Sequence, residues 1–506
     1  MKLKRILAIG ASLFLLVQST FVMGQDEALL DKIDFPAVEI ESHIRFLASD
    51  ELMGRRTGEP GNNMAARYIA EQFRLYGLSS VEGAEDDYFQ SVDLNEVSAP
   101  SSGQMVWKDN QFNLKDDFVV LAGDGLEGEY EVAYAQFGIV EEDRDDYQKL
   151  DVEGKVVFVL GGLPDQSASP QEVFSYIRKK REWAAERGAV ALVEFYRIQF
   201  PWPFFVNYFS RPSLRVGGGN EPQIMHIMLQ EGTSGMAGKL QKGKHKVQME
   251  TEAVNRKPIF SRNVIGMVEG TDPDLKEEYF IVTAHYDHIG TGANGGGPFS
   301  PEDSIFNGAR DNAVGTTTLL GTAKFVAANP LERTVVFLAV TGEELGLLGS
   351  SYYCDNPLIP MEKTIFNFNT DGAGYNKTDR VTLFGYDRTG TINELNAAAE
   401  RYGLIATDDP APEQGLFDRS DNVNFAKKGV PCLTYSMGFD AFDDEINKYY
   451  HQVGDHADNL DYEYLEKYSQ SFIAAVVLIA SKSELPMWEK GDKYYDAAVE
   501  LYGLEP

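Results

Sequence analysis

Five side chains in the second half of the chain are of types that bind divalent cations: His285 in AHYDHIG, Asp311 in NGARDNAVGT, Glu344 in TGEELGLLGS, Asp371 in NFNTDGAG and His451 in YYHQVGDHADNL. Each alone has a plainer explanation. A lone histidine at a strand end is usually structural, an Asp before a helix usually caps it, and a Glu-Glu pair is usually a solvated face. Their joint placement favours a metal centre. Imidazole nitrogen and carboxylate oxygen are ordinary zinc ligands, and a catalytic zinc keeps one position open for water. Two cations about 3.5–4 Å apart need a shared carboxylate between them. Asp311, in the turn between Gly308 and Gly315, is the natural bridge. His285 and Asp371 then complete one ion, and Glu344 and His451 the other.

Adjacent Glu343 and Glu344 cannot both reach one metal from a regular element. In a loop, one ligates while the other overhangs the water between the ions. Zinc lowers the pKa of bound water to about 7, so a carboxylate beside it can act as general base, and Glu343 takes that part. Asp287, two residues after His285, is placed to hydrogen-bond the imidazole and set its tautomer. His288 reads as a structural or supporting residue. Tyr450, next to His451, is either an oxyanion donor or a packed aromatic.

Apolar runs at 279–284, 334–340, 364–368 and 430–435 predict strands, with helices at 313–328 and 392–402 between them and a last helix around 471–482. Such alternation implies an α/β unit with a mostly parallel central sheet flanked by helices on both faces. Ligands bind beyond the carboxyl ends of such strands, where His285, Glu343, Glu344 and Asp371 fall. Upstream, Ala66, Ile69, Phe73 and Tyr76 recur at helical spacing before Gly77. From about 90 to 254 the texture changes. A strand at 154–160, a helix at 170–187 and a strand at 188–196 suggest a small inserted domain. The aromatic run 200–209 reads as a packed loop or an interface rather than a ligand platform.

The 506 residues suit two or three domains, and 43% apolar with 25% charged residues is ordinary for a globular chain. A formal net charge of −32 opposes nucleic acid and anionic lipid. Lys2, Lys4 and Arg5, an apolar stretch over 6–17 and a cleavage site near Gly24 read as a signal peptide, 1–24, and imply export to the periplasm or medium. That stretch is too short to span a bilayer, and no second run is long enough, so no stable membrane insertion is expected after its removal. Cys354 and Cys432 are the only cysteines, which excludes a disulfide framework and a cysteine-rich zinc site.

These residues resemble the zinc aminopeptidases of metallopeptidase family 28, a family that also holds glutamate carboxypeptidases and glutaminyl cyclases. LASDELMGRRTGEPG resembles the segment that leads into the family's catalytic domain. Residues 95–255 resemble the β-rich protease-associated domain inserted in many members, which leaves 25–94 and 256–506 as the two parts of the peptidase domain. The resemblance implies a zinc exopeptidase fold, two Zn2+ ions per chain on His285, Asp311, Glu344, Asp371 and His451, Glu343 as base, Asp287 behind His285, and peptide substrates. Two positions depart from the pattern. Arg310 stands where relatives often have an acid before the bridging Asp, and Asn422 follows Ser420-Asp421 where many bacterial relatives have His. Neither touches a ligand position; both bear on substrate preference.

The same scaffold serves carboxypeptidases, which need an arginine for the terminal carboxylate; Arg388 and Arg419 are candidates. A single-zinc glutaminyl cyclase and an inactive receptor-like binding module are the other readings. The loop holding Asp440, Asp443, Asp444 and Glu445 suggests basic amino-terminal residues as substrates, against a plain solvated acidic loop.

Overall fold

The computed structural model describes residues 27–505 except 166, 169, 199 and 218–223, so the signal segment 1–24 lies outside the described residues. Contacts divide the chain into two units, one made of the residues up to Val92 with those from Phe260 onward, the other of Asp93–Ile259.

In the first unit the apolar runs form the strands of one sheet: β1 (Asn255–Val268), β2 (Tyr279–His285), β3 (Thr334–Val340), β4 (Thr364–Thr370), β5 (Arg380–Phe384), β6 (Ile405–Asp408) and β7 (Cys432–Met437). Their spatial order is β1-β3-β2-β4-β7-β5-β6. The middle pairs β3–β2, β2–β4 and β4–β7 are parallel. The flanking strands are antiparallel, β1 to β3 and β5 to β7. The sheet is therefore mixed, with the parallel part at its centre.

Alternating side chains of one strand enter different cores, as period-two geometry requires. Phe280 and Val282 of β2 join the helices α1 (Ala37–Leu47), α2 (Pro60–Tyr76), α3 (Val314–Ala328), α4 (Ile392–Arg401) and α5 (Tyr462–Ala480) in one cluster. Ile281 packs with Tyr353 and Phe425 in another. Helix α2 stops at Gly77, whose φ of +80° is a left-handed conformation that glycine adopts without a Cβ clash. No helix among the described residues is long and apolar enough to cross a membrane. Cys354 and Cys432 are both free and buried.

The second unit is built on a sheet of eight strands. Val156–Leu160, Ala191–Phe195 and Met225–Leu229 lie parallel at its centre, and helix Pro170–Glu186 links the first two. The aromatic run, read as a packed loop or an interface, forms the helix Trp202–Ser210, so it is not a loop. Pro203 falls in its first turn, where a missing N–H costs no intrahelical bond.

Candidate metal centre

β2, β3 and β4 run in the same direction, with His285 opposite Val340 in register. His285 at the end of β2, Glu343 and Glu344 just after β3, and Asp371 just after β4 thus share one edge of the sheet. Asp311 sits in the turn Ala309–Ala313 before α3, with non-helical φ −114° and ψ 98° and a cis bond to Asn312. His451 lies between β7 and α5 with its backbone in the left-handed region, φ +54°. A non-glycine residue held there is a feature that concentrates at functional sites.

The five side chains converge. Asp311 Oδ1 lies 3.3 Å from His285 Nε2, and Asp311 Oδ2 lies 3.2 Å from His451 Nε2. Asp371 Oδ1 is 3.1 Å from His285 Nε2, and Glu344 Oε2 is 3.0 Å from His451 Nε2. Two donor groups result, and they share Asp311: His285, Asp311 and Asp371; and His288, Asp311, Glu344 and His451. His288 stands inside the second group, its Nδ1 2.6 Å from Glu344 Oε1.

The donor atoms fit cations better than they fit each other. His288 Nδ1, Glu344 Oε1 and His451 Nε2 are buried and lie at hydrogen-bond distance from neighbours, yet none has a partner of hydrogen-bond geometry among the described residues. Buried polar atoms are rarely left this way. Lone pairs aimed at a shared point are what a metal requires.

Charge points the same way. Burial alone pushes the His285 imidazole down, but Asp371 and Glu343 outweigh it and hold its pKa well above the usual range. His451 is likewise raised to about 10, by Glu344 and Asp311 against burial. Burial pushes Asp311 up, and the His285 and His451 imidazoles beside it hold it well below the usual carboxylate value. Glu343 behaves oppositely. Burial and the Asp371, Glu344 and Asp421 carboxylates push it well up, against the pull of His285.

The sequence model of peptidase family M28 matches residues 263–476, the stretch that carries all five side chains. That stretch is similar to peptidase family M28. Aminopeptidase YwaD of Bacillus subtilis (strain 168) is 30% identical over 234 residues, 45% of this chain and 46% of that protein. The Saccharomyces cerevisiae (strain ATCC 204508 / S288c) vacuolar membrane protease is 32% identical over 131 residues, 26% of this chain and 11% of that protein. The chain thus spans less than half the length of these curated relatives. Among solved structures, an aminopeptidase from Aneurinibacillus sp. strain AM-1 shares the fold, with a TM-score of 0.52, 19% identity, and coverage of 92% of this chain and 97% of that one.

Within the matched stretch, Asp287 does more than stand behind His285. Its carboxylate accepts the backbone N–H groups of Glu343 at 3.2 Å and Glu344 at 3.4 Å, and the Thr57 hydroxyl at 3.1 Å. It stands 3.7 Å from His285 Nδ1, whose nearer neighbour is the Asp287 carbonyl at 3.3 Å. Asp287 therefore shapes the Glu343-Glu344 turn more directly than it grips the imidazole. The ring of Tyr450 stacks on His451 with centroids 4.1 Å apart, and its hydroxyl accepts from Arg419 at 3.4 Å. Burial, with Asp311 and Glu344, pushes that phenol far above its usual pKa, so it keeps its proton.

Three supporting residues were not found from sequence. Arg55, in the leading segment LMGRRTGEPG, is buried and donates to the carbonyls of Tyr286, Leu47, Asn307 and Gly308. It ties the loop after β2 to the turn bearing Asp311. Asp455 accepts the backbone N–H groups of both Arg310 and Asp311. Ser420 donates to Asp371 Oδ2 and accepts from Asn369 of β4 at 2.8 Å. Asp455 lies four residues after His451, Arg55 lies in the segment that resembles the family's lead-in, and Ser420 precedes Asp421, but nothing in the sequence marks their contacts.

The cleft over these groups is lined by Asp311, Glu343, Glu344, Asp371 and Tyr450, and also by Phe384, Leu416, Phe439, Phe442 and Ile446. Arg419 also lines it. Arg388 does not: it pairs with Asp492 at 2.7 Å and packs on Phe417. None of the acids of the 440–445 loop lines the cleft. Asp440 pairs with Lys377 at 3.0 Å, and Asp443 caps the helix Asp444–Asn447. Asn422, the other departure, is buried, and its amide is taken up by the Phe417 carbonyl and the Thr434 hydroxyl.

Proposed function

We propose that this protein is an exported two-zinc aminopeptidase that removes apolar residues from the free amino ends of peptides. The observation that carries the reading is Asp311, whose two oxygens face two donor groups in a cleft that Glu343 also lines. When bound, a zinc pair polarises the scissile carbonyl and acidifies water. His285 and Asp371 would hold one ion, Glu344 and His451 the other with His288 beside them, and Asp311 would serve both. Glu343, whose pKa burial and the neighbouring carboxylates push well above the usual carboxylate value, takes a proton from the attacking water and returns it to the leaving amine. Asp287 fixes the turn that aims it, through the amides of Glu343 and Glu344. Tyr450 keeps its proton and offers it as a hydrogen bond to the developing oxyanion.

The apolar wall of Phe384, Phe439, Phe442 and Ile446 suits an apolar first side chain, and the acids of the neighbouring loop do not line it. Export rests on the charged and apolar pattern of residues 1–24. We read the unit Asp93–Ile259 as the inserted protease-associated domain, at limits slightly wider than 95–255. Arg419 in the cleft favours one second reading, a carboxypeptidase that grips a terminal carboxylate. Free and N-acetylated leucyl peptides separate the two. The proposal expects hydrolysis of the free peptide only; release of the last residue from the acetylated peptide contradicts it.

A further inference from the structure

Among the described residues, Arg419 is the single Lys or Arg lining the cleft that also holds Asp311, Glu343, Glu344 and Asp371. It ends the short helix Leu416–Arg419 and is exposed. The chain has 78 Asp and Glu against 46 Lys and Arg, so a cation here ought to find a carboxylate. Nearby cations do. Arg388 pairs with Asp492 at 2.7 Å, Lys493 with Asp418 at 2.7 Å, and Arg310 with Asp455 at 2.9 Å. Arg419 pairs with no carboxylate among the described residues, and its hydrogen bond goes to the Tyr450 hydroxyl at 3.4 Å.

Two contacts place that guanidinium over the site. Ser420, the next residue, donates to Asp371 Oδ2. Tyr450 stacks on His451 with ring centroids 4.1 Å apart. Arg419 is thus one residue from a side chain bonded to Asp371, and one phenol ring from His451. An extended dipeptide is about 7 Å long, comparable with the reach from His451 across that stacked ring and its hydrogen bond. A guanidinium receives a carboxylate on two parallel N–H groups. A carboxylate at the chain end is held in place by the backbone, whereas one on a side chain loses rotamer freedom to reach the same point.

We propose that Arg419 is a specificity-determining residue that binds the terminal carboxylate of the residue following the cleaved bond, so that free dipeptides are the preferred substrates. The inference rests on the aminopeptidase reading above and adds the length of its substrate. The ammonium end of a dipeptide faces the acids of the cleft, and its carboxylate meets the one cation. A longer peptide puts a neutral amide where the dipeptide has its negative charge.

Leu-Ala and Leu-Ala-amide differ in that charge alone. With the unaltered full-length protein, kcat/KM for Leu-Ala is expected to be about tenfold higher, the worth of one charge-assisted contact at an exposed site. Arg419→Met should bring the ratio close to one, and Arg419→Lys, which keeps the charge without the fork, should retain part of it. Calorimetric binding to Glu343→Gln protein makes the same comparison without turnover. Leu-Ala should bind more tightly than its amide, and the two should bind equally once Arg419→Met is added. If Arg419 only steadies Tyr450, both substrates slow together and the ratio persists. That result, or equal kcat/KM for the two peptides in the unaltered protein, overturns the inference and leaves the aminopeptidase reading standing. Cleavage of neither peptide, or cleavage of N-acetyl-Leu-Ala, overturns that reading and the inference with it.

Discussion

The guanidinium of Arg310 donates to Asp455 Oδ1 at 2.9 Å, and Asp455 Oδ2 accepts the backbone N–H of Arg310 at 2.9 Å. The same oxygen takes the N–H of Asp311 at 3.4 Å. Arg310 also lies over the ring of Tyr449 at 3.7 Å. Its charge is thus spent on the far side of the turn, away from the candidate metal ligands. The pair braces the peptide that presents Asp311, and the unusual residue before Asp311 is explained by a partner 145 positions away.

Asp455→Ala should be costly, because it strands a buried cation and frees the turn at once. Removing one member of a buried pair costs about 3–5 kcal/mol. Denaturant unfolding should show a loss of that order, and zinc affinity should fall with it. Unchanged stability would mean that Arg310 finds another acceptor.

Glu343→Gln keeps the shape of the side chain and removes its basicity. The chemical step should slow by about 10²–10⁴-fold, the usual worth of a positioned acid–base group, while zinc content stays as in the parent. Parent-like turnover would assign the base elsewhere.

Acid should weaken the second unit before general acid denaturation sets in. Burial, with Lys180 and Arg181, keeps His226 below its usual pKa despite Glu194. Burial pushes Glu194 up, but Lys180 and His226 outweigh it and hold the carboxyl low. Both groups bind protons more readily in the unfolded chain, so both contribute stability above their unfolded pKa values and lose it as pH falls. The loss begins below about pH 6.5 for the histidine and about 4.3 for the glutamate. Hydrogen exchange in the strands Ala191–Phe195 and Met225–Leu229, followed from pH 7 to 5, should show protection falling. Constant protection across that range would contradict the linkage.

The central sheet was legible because its strands are buried on both faces and read as unbroken apolar runs. The candidate ligands were legible because each follows such a run or precedes a helix. The antiparallel flanks were not, since neither apolar content nor period fixes strand direction. The helix Trp202–Ser210 was hidden by Pro201 just before it and Pro203 within it, which read as loop although Pro203 sits where a helix tolerates it. Arg55 and Ser420 act through contacts to Asn307, Gly308, Asn369 and Asp371 that are remote in sequence. His288 lay beside a stronger candidate, and only folding brings it against Glu344.

Anomalous X-ray scattering at the zinc edge, from crystals of active protein, tests the central claim most directly. The account predicts two peaks about 3.5–4 Å apart, one between His285 and Asp371, the other between Glu344 and His451, with Asp311 touching both. A fully active enzyme with a single peak, or with none beside Asp311, would contradict it.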